Sequence, residues 1–533
     1  MDTPHNRNVA LLCVGGVAVA SSVYVYVRSR RSPKPPGPPC HSNPIKNFLL
    51  KASGFGHAPV LAAPQSHIIL KEWANTYGPI FSLQLGMPAV VISDAQMQTS
   101  LLKGELATSL PKLKALEGID PFVSMGHPNL VTISDERSPM WRSFRKTIAQ
   151  SFSSQAMQAA FPAVRSCVEE MVQMWRAEQK EGRPIDVRTW MYKLLLEMLG
   201  RASFGLEFNA LQDGQHEYLA LMHENMHQMQ EVTGKPLASL VAKLFPFLPH
   251  ARRSAERLAR CNSMYEKIYD DLKARGPPSE KDQSLAANLM RVVDHTTGEP
   301  FPEMTVKGNL AVITIAGFDT TATTLVWALY DIARHRHMQQ RIKEELAAAG
   351  LLQVEGAPLA RALEWSDWNA FPYLNMVLKE SLRVHPVVPQ GTIREARQDL
   401  MVGGYHVKKG TIVWMPFYPN FNSRINFSNP GANRKRPNTP VQYRVGQYAT
   451  PNGHALAANS LIPFSLGSRS CVGQPLANVE ARIALLIILS NFWCELAPPT
   501  PSHEEVEASQ VIELVLTSGV PIMLQLKPHK SAK

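Results

Sequence analysis

Charge is sparse in this chain. Only 19% of its 533 residues are Asp, Glu, Lys or Arg, against 45% hydrophobic. Such a balance supplies a sizeable core and excludes wholesale disorder. Cysteine is scarce as well. Cys13, Cys40, Cys167, Cys261, Cys471 and Cys494 form no C-x-x-C pair, and no His cluster stands at zinc spacing. A disulfide framework and a structural zinc site are therefore not indicated, and a reduced, cytosol-facing compartment fits better. Internal repeats are missing, and low complexity is confined to one proline spacer. The chain also lacks a dinucleotide-binding glycine fingerprint and a flavin domain, so it does not read as able to reduce itself.

Acidic residues are the minority among the charges: 55 Lys and Arg face 44 Asp and Glu, a net +11. No nucleic-acid motif accompanies that excess, and no nucleic-acid partner is expected. A membrane surface or an acidic redox partner fits, with a solvated basic surface as the alternative. The uncharged run Val9–Val27 is just long enough to cross a bilayer. Arg28, Arg30 and Arg31 follow at once and place the remainder on the cytosolic side. Pro33-Lys-Pro-Pro-Gly-Pro-Pro39 then forms a stiff spacer. The expected organisation is a membrane anchor over 1–27, a basic and proline-rich linker over 28–44, and one large domain over 45–533. A secretory signal cut after Ala18-Val-Ala20 is the rival reading of the anchor.

Beyond the linker, a helix end at Trp73–Tyr77 turns into a strand ending at Gly86, and Met87–Ser93 reads as a second strand. Helical patterns then dominate, over 154–178, 187–203, 250–274, 306–349 and 372–384. Strand-like pieces return at Tyr405–Pro416 and near the C-terminus. The fold class is mainly α with a minor β-sheet.

The most informative stretch is Phe464-Ser-Leu-Gly-Ser-Arg-Ser-Cys-Val-Gly473. A thiolate facing an iron must be desolvated yet hydrogen-bonded, and glycines let the backbone approach a flat macrocycle. Pro475 suits the first turn of the helix read over Leu476–Ile483, whose positive end would stabilise the charge on Cys471. The alternative is a buried structural cysteine. The pattern Phe464, Gly467, Arg469, Cys471, Gly473 resembles the haem-binding signature of the cytochrome P450 family. That resemblance implies a helical prism with haem b (iron protoporphyrin IX) held between a long central helix and the cysteine loop. It makes Cys471 the iron ligand and Arg469 a propionate partner.

The other motifs follow in family order. Ala316-Gly-Phe-Asp-Thr-Thr321 puts a glycine and polar residues inside a long apolar helix, against good helix design. The resemblance supplies a reason: Ala316 and Gly317 leave room for dioxygen and substrate, Thr320 hydrogen-bonds the oxygen, and Asp319 relays protons. Alternatively, Thr320 only bonds a carbonyl one turn back. Glu380 and Arg383 share a helical face that Pro386 terminates, and resemble the family's structural ion pair. Its third partner should come from a Phe-x-Pro-x-Arg segment, which this chain lacks; Arg436 is the substitute, with Arg434 and Arg444 as rivals. Trp141 and Arg145 resemble the Trp-x-x-x-Arg pair that clamps one propionate, and Arg394 resembles a further propionate arginine. Arg142, Arg145 and Lys146 make that helix basic enough to meet an acidic electron donor. Substrate-wall candidates are Phe122, Val123, Ala316, Val387, Val388 and Thr517.

Taken together, the resemblance implies a membrane-anchored monooxygenase. One atom of O2 would enter a lipophilic small molecule, and NADPH electrons would come from a separate flavoprotein reductase. The implied location is the endoplasmic reticulum, with a plastid envelope as alternative. The rival activities are a reductase-independent peroxide isomerase or dehydratase, and a haem-thiolate sensor or carrier without turnover.

Overall fold

The computed structural model describes residues 34–52, 55–119, 124–214, 216–234, 245, 247–358, 360–423, 426 and 460–530. The Val9–Val27 anchor, Phe122, Val123, Arg434, Arg436 and Arg444 lie outside them.

One helix organises the rest. Glu303–Arg334 runs for 32 residues and is buried on almost every side, from Thr305 through Ala333. A helix apolar all round belongs inside a core or a bilayer. This one is long and apolar enough to span a membrane, yet most of it is covered by protein. It packs against Val187–Met198, Pro372–Val384 and Gln474–Asn491. The expected continuation to residue 349 fails at His335, which leaves helical geometry at φ −113°, ψ 82°. Its ring Nδ1 lies 2.8 Å from the Asp331 carbonyl and bonds the turn behind. A second helix, Arg336–Ala348, then starts in a new direction and buries Met338, Ile342 and Leu346. Those three recur at i, i+4, i+8, a single apolar face.

Capping explains several other boundaries. Ser153 accepts from the Ala156 N–H to start Ser154–Lys180. Asp186 accepts from the Arg188 and Thr189 N–H groups to start Val187–Met198. That helix widens into a π-turn over Leu199–Phe204 and stops at Gly205, whose φ of 63° is left-handed.

The sheets are small and peripheral. The largest runs, in space, Ile80–Leu85, Met87–Ile92, Ile412–Met415, Thr392–Glu395, with only its middle pairing parallel. Tyr405–Pro416 divides between two sheets: Tyr405–Val407 pairs with Leu400–Val402, while Ile412–Met415 joins the larger one. Gly410, at φ 79°, makes the turn between them.

The helix Pro372–Val384 carries the ion pair. Both Arg383–Glu380 contacts are 2.8 Å, and both residues are buried. Arg383 Nη1 also donates to the Phe421 carbonyl at 2.9 Å, which ties the helix to the segment after the sheet. Removing one member leaves a buried charge without its counter-ion. Arg383→Ala should cost about 3–5 kcal/mol, read as a lower denaturation midpoint of the holoenzyme; a midpoint unchanged from wild type would contradict the bracing role.

Candidate functional site

The loop before Gln474–Asn491 is shaped by two left-handed residues, Ser465 at φ 59° and Gly467 at φ 76°. A Cβ on Gly467 would sit 2.2 Å from the Leu102 carbonyl oxygen, so only glycine lets the loop lie against the end of the helix Ala95–Lys103. The Cys471 N–H donates to the Phe464 carbonyl at 2.8 Å and closes the loop. Pro475 stands in the first turn of the helix that follows. Burial pushes the Cys471 thiol up, while N–H groups of Gly473 and Gln474 and the Arg145 charge oppose that rise. Those donors are the means by which a helix start holds a sulfur anion.

Cys471 opens into a cavity of about 400 Å³. One wall is the central helix, at Val312, Ala316, Gly317 and Thr320; the opposite wall is Phe464, Cys471, Gly473 and Ala477. The broad surfaces are apolar, and the charge lies at one edge. Lys112, Arg145 and Arg469 line that edge, and Arg394 lies close behind, bridged to Lys112 through the backbone. Burial pushes Lys112 down to about 7, with repulsion from Arg394, Arg469 and Arg145 added. Burial likewise lowers Arg394 and Arg469 to about 10. Anionic relief is thin. Glu136 reaches Arg469 only at 3.8 Å. Buried Nε of Arg394, and Nε and Nη1 of Arg469, have no hydrogen-bond partner. Orphaned guanidinium donors at one edge of an apolar cavity, with a sulfur in its wall, fit an apolar group that carries carboxylates and a metal. Haem is such a group.

Trp141 lines the cavity, but its indole N–H donates to the Leu130 carbonyl at 3.1 Å and its ring stacks under the Arg469 guanidinium at 4.0 Å. Arg145 Nη2 donates to Ser470 Oγ at 3.3 Å, which couples that helix to the cysteine loop. Val387 and Val388 lie in the cavity wall, Val388 being exposed. Thr517 is buried in a strand opposite Val511 and borders neither this cavity nor the second one described below. Thr320 lines the cavity, and its hydroxyl donates to the Ala316 carbonyl at 3.0 Å. The carbonyl bond and the cavity-facing position therefore coexist, and the Thr320 oxygen keeps its acceptor capacity. Asp319 turns away from this cavity. Its Oδ1 accepts from the Tyr192 hydroxyl at 2.6 Å.

The family model for cytochrome P450 matches residues 51–524. This chain belongs to the cytochrome P450 family. Cytochrome P450 27C1 of Danio rerio is 26% identical, over 91% of this chain and 85% of its own length. Cytochrome P450 CYP82J17 of Trigonella foenum-graecum is 25% identical, over 86% of each. The Bacillus subtilis bifunctional cytochrome P450/NADPH–P450 reductase 2 is 24% identical over 89% of this chain, which covers 42% of that protein. The mainly helical fold, the haem cofactor and the monooxygenase class follow from membership.

Two residues of this P450's cavity carry no signal in the sequence string. Lys112 is a single lysine in a loop, brought to the cationic edge by tertiary contact. Glu480 lies nine positions beyond Cys471, in the cavity wall, with neither carboxylate oxygen hydrogen-bonded. Burial alone raises its carboxyl well above the usual range, which favours the neutral form in the folded protein. The unfolded chain releases that proton above its ordinary carboxyl range while the folded chain keeps it, so rising pH favours unfolding. Glu480→Gln, neutral at every pH, should therefore raise the melting temperature more at alkaline than at mildly acidic pH. An increment that is the same at both would mean that Glu480 ionises in place.

Proposed function

We propose that this P450 inserts one atom of O2 into a lipophilic small molecule, with electrons from NADPH supplied through a separate flavoprotein reductase. The observation that carries the reading is the single cavity in which Cys471 faces Thr320 across apolar walls, with the cations confined to one edge. When bound there, haem b would supply the chemistry that activates dioxygen. The residues' own work is separable. Cys471, hydrogen-bonded by the Gly473 and Gln474 N–H groups, would hold the metal through its sulfur and supply it with electron density. Arg145, Arg394 and Arg469 would pair with the group's carboxylates and orient it. Gly467 holds the loop where the thiol points inward, and Phe464 shields the sulfur from water. Thr320 offers a hydroxyl on the face opposite the thiol, and Asp319 next to it supplies protons. Ala316, Gly317, Val387 and Val388 leave an apolar space that excludes water and suits an uncharged substrate.

Exposed Arg142 and Lys146 on the helix Pro139–Gln150 support docking of an acidic electron donor on the cysteine side. Their helix also carries Arg145, which reaches Ser470 of the loop. Membrane attachment draws support from the helix Pro44–Ala52. Its Ile45, Phe48 and Leu49 are 71%, 70% and 58% exposed and share one face at i, i+3, i+4. The uncharged run Val9–Val27 earlier in the sequence makes a lipid surface the natural cover, in the endoplasmic reticulum or, alternatively, a plastid envelope.

Two measurements test these assignments. The reduced-plus-CO difference spectrum should show a strongly red-shifted Soret band in the wild type and lose it in Cys471→Ala; a histidine-type spectrum would sink the ligand assignment. Hydrogen–deuterium exchange of the full chain with phospholipid vesicles should protect 44–52 relative to the vesicle-free protein, and unchanged exchange there would remove this helix from the membrane contact.

A further inference from the structure

Asp319 and Thr320 are neighbours in sequence but open onto different cavities. Thr320 lines the cavity of Cys471; Asp319 lines a second one, of about 660 Å³, on the other side of the central helix. This second cavity lies between Glu303–Arg334, Val187–Met198 and Glu217–Gly234. Exposed residues in its wall, Thr189, His223 and Glu224, bring it to the surface. Tyr192 lines this cavity beside Asp319. Its hydroxyl donates to Asp319 Oδ1 at 2.6 Å and lies 3.2 Å from Thr323 Oγ1. The His223 ring packs edge-on against Tyr192 at 4.9 Å between centroids, and Arg188, paired with Glu513 at 2.8 Å, flanks the same ring.

We propose that protons enter this P450 from solvent through the second cavity, on the face of the central helix turned away from Cys471, with the Tyr192 hydroxyl as the last relay into Asp319. This rests on the reading of Asp319 and Thr320 as the proton-handling pair. Each transfer balances without a change in Tyr192. The phenol passes its proton to the Asp319 carboxylate while its oxygen accepts one from the cavity side, so it is neutral before and after. Asp319 then releases that proton toward the Thr320 side and returns to carboxylate.

The electrostatics agree with this geometry. Burial lifts the Asp319 carboxyl to about 6, against the Tyr192 hydrogen bond and the Arg188 charge that lower it, with Glu513 adding to the rise. A group with that value both accepts and gives up a proton near neutrality. Burial, then the Asp319 charge, keeps Tyr192 protonated. Although one edge of its ring reaches solvent, desolvation against Tyr192 and then the Arg188 charge hold His223 below its usual range, which favours the neutral imidazole. Tyr192 therefore acts through Asp319 and is a positioning residue.

Tyr192→Phe in the full-length holoenzyme removes the hydroxyl and keeps the ring. The first readout needs no turnover: the infrared carboxylic C=O band of Asp319, assigned by its loss in Asp319→Asn. In the wild type it should grow as pH falls through about 6; in Tyr192→Phe it should appear roughly one pH unit higher, because a bond to the ionised form is gone. The second is hydrogen peroxide released per NADPH consumed with a P450 reductase, which needs no identified substrate. It should rise several-fold in Tyr192→Phe and in Ala220→Trp, which fills the second cavity, with the CO spectrum confirming intact haem sites. If Asp319→Asn raises the peroxide ratio but Tyr192→Phe shifts neither readout, the relay is overturned while Asp319 stands. If both raise it but Ala220→Trp does not, the route through this cavity is overturned. If Asp319→Asn itself leaves the ratio unchanged, the underlying pair assignment is what fails.

Discussion

A thiolate in an apolar cavity is a charge out of water, and the arrangement around Cys471 consists of what such a charge requires. Its stabilisation comes from backbone donors at the start of Gln474–Asn491 and from the Arg145 charge. The donors are aimed only because the loop turns at Ser465 and Gly467. That turn holds only because Gly467, lacking a Cβ, fits against the Leu102 carbonyl. The buried Glu380–Arg383 pair fixes a further part of the frame by anchoring Pro372–Val384 to the Phe421 carbonyl. A buried ion pair adds little net stability; its value here is positional.

The same economy of charge explains the cavity's edge. Burial lowers the proton affinity of Lys112, Arg145, Arg394 and Arg469, mutual repulsion adds to it at Lys112 and Arg469, and guanidinium nitrogens of Arg394 and Arg469 are left without partners. A protein bears that repulsion at a site where an acidic ligand relieves it. Affiliation with a haem-binding family supplies the ligand. Glu480 in the cavity wall is treated in the opposite way: burial favours its neutral form.

The central helix separates two environments. Toward Cys471 it presents small residues and the Thr320 hydroxyl; toward Val187–Met198 it presents Asp319, bonded to Tyr192. A helix places adjacent side chains about a hundred degrees apart, so two consecutive residues can serve two compartments. Gly317 permits the close packing this needs, since a Cβ there would press on Leu199 at 3.1 Å.

Much of the architecture was legible in the string because it is locally encoded. Helix spans over 154–180, 249–274 and 372–384 follow from apolar periodicity and end signals. The loop around Cys471 could be located because its glycines, arginine and cysteine act over ten residues. Other features were not legible. The break at His335 falls inside a stretch whose periodicity reads as one helix, because the bond of its ring to the Asp331 carbonyl decides it. Lys112, Tyr192 and Glu480 sit in ordinary surroundings in sequence, and the division between the two cavities has no sequence counterpart. By itself, then, the sequence determined the family, the helical class and the position of the thiol, since each rests on spacing along one segment. Only the tertiary structure decided which cations share the edge, which acid is neutral and which tyrosine reaches Asp319. Those depend on distances between segments well separated along the chain, and on the desolvation that appears only when they pack.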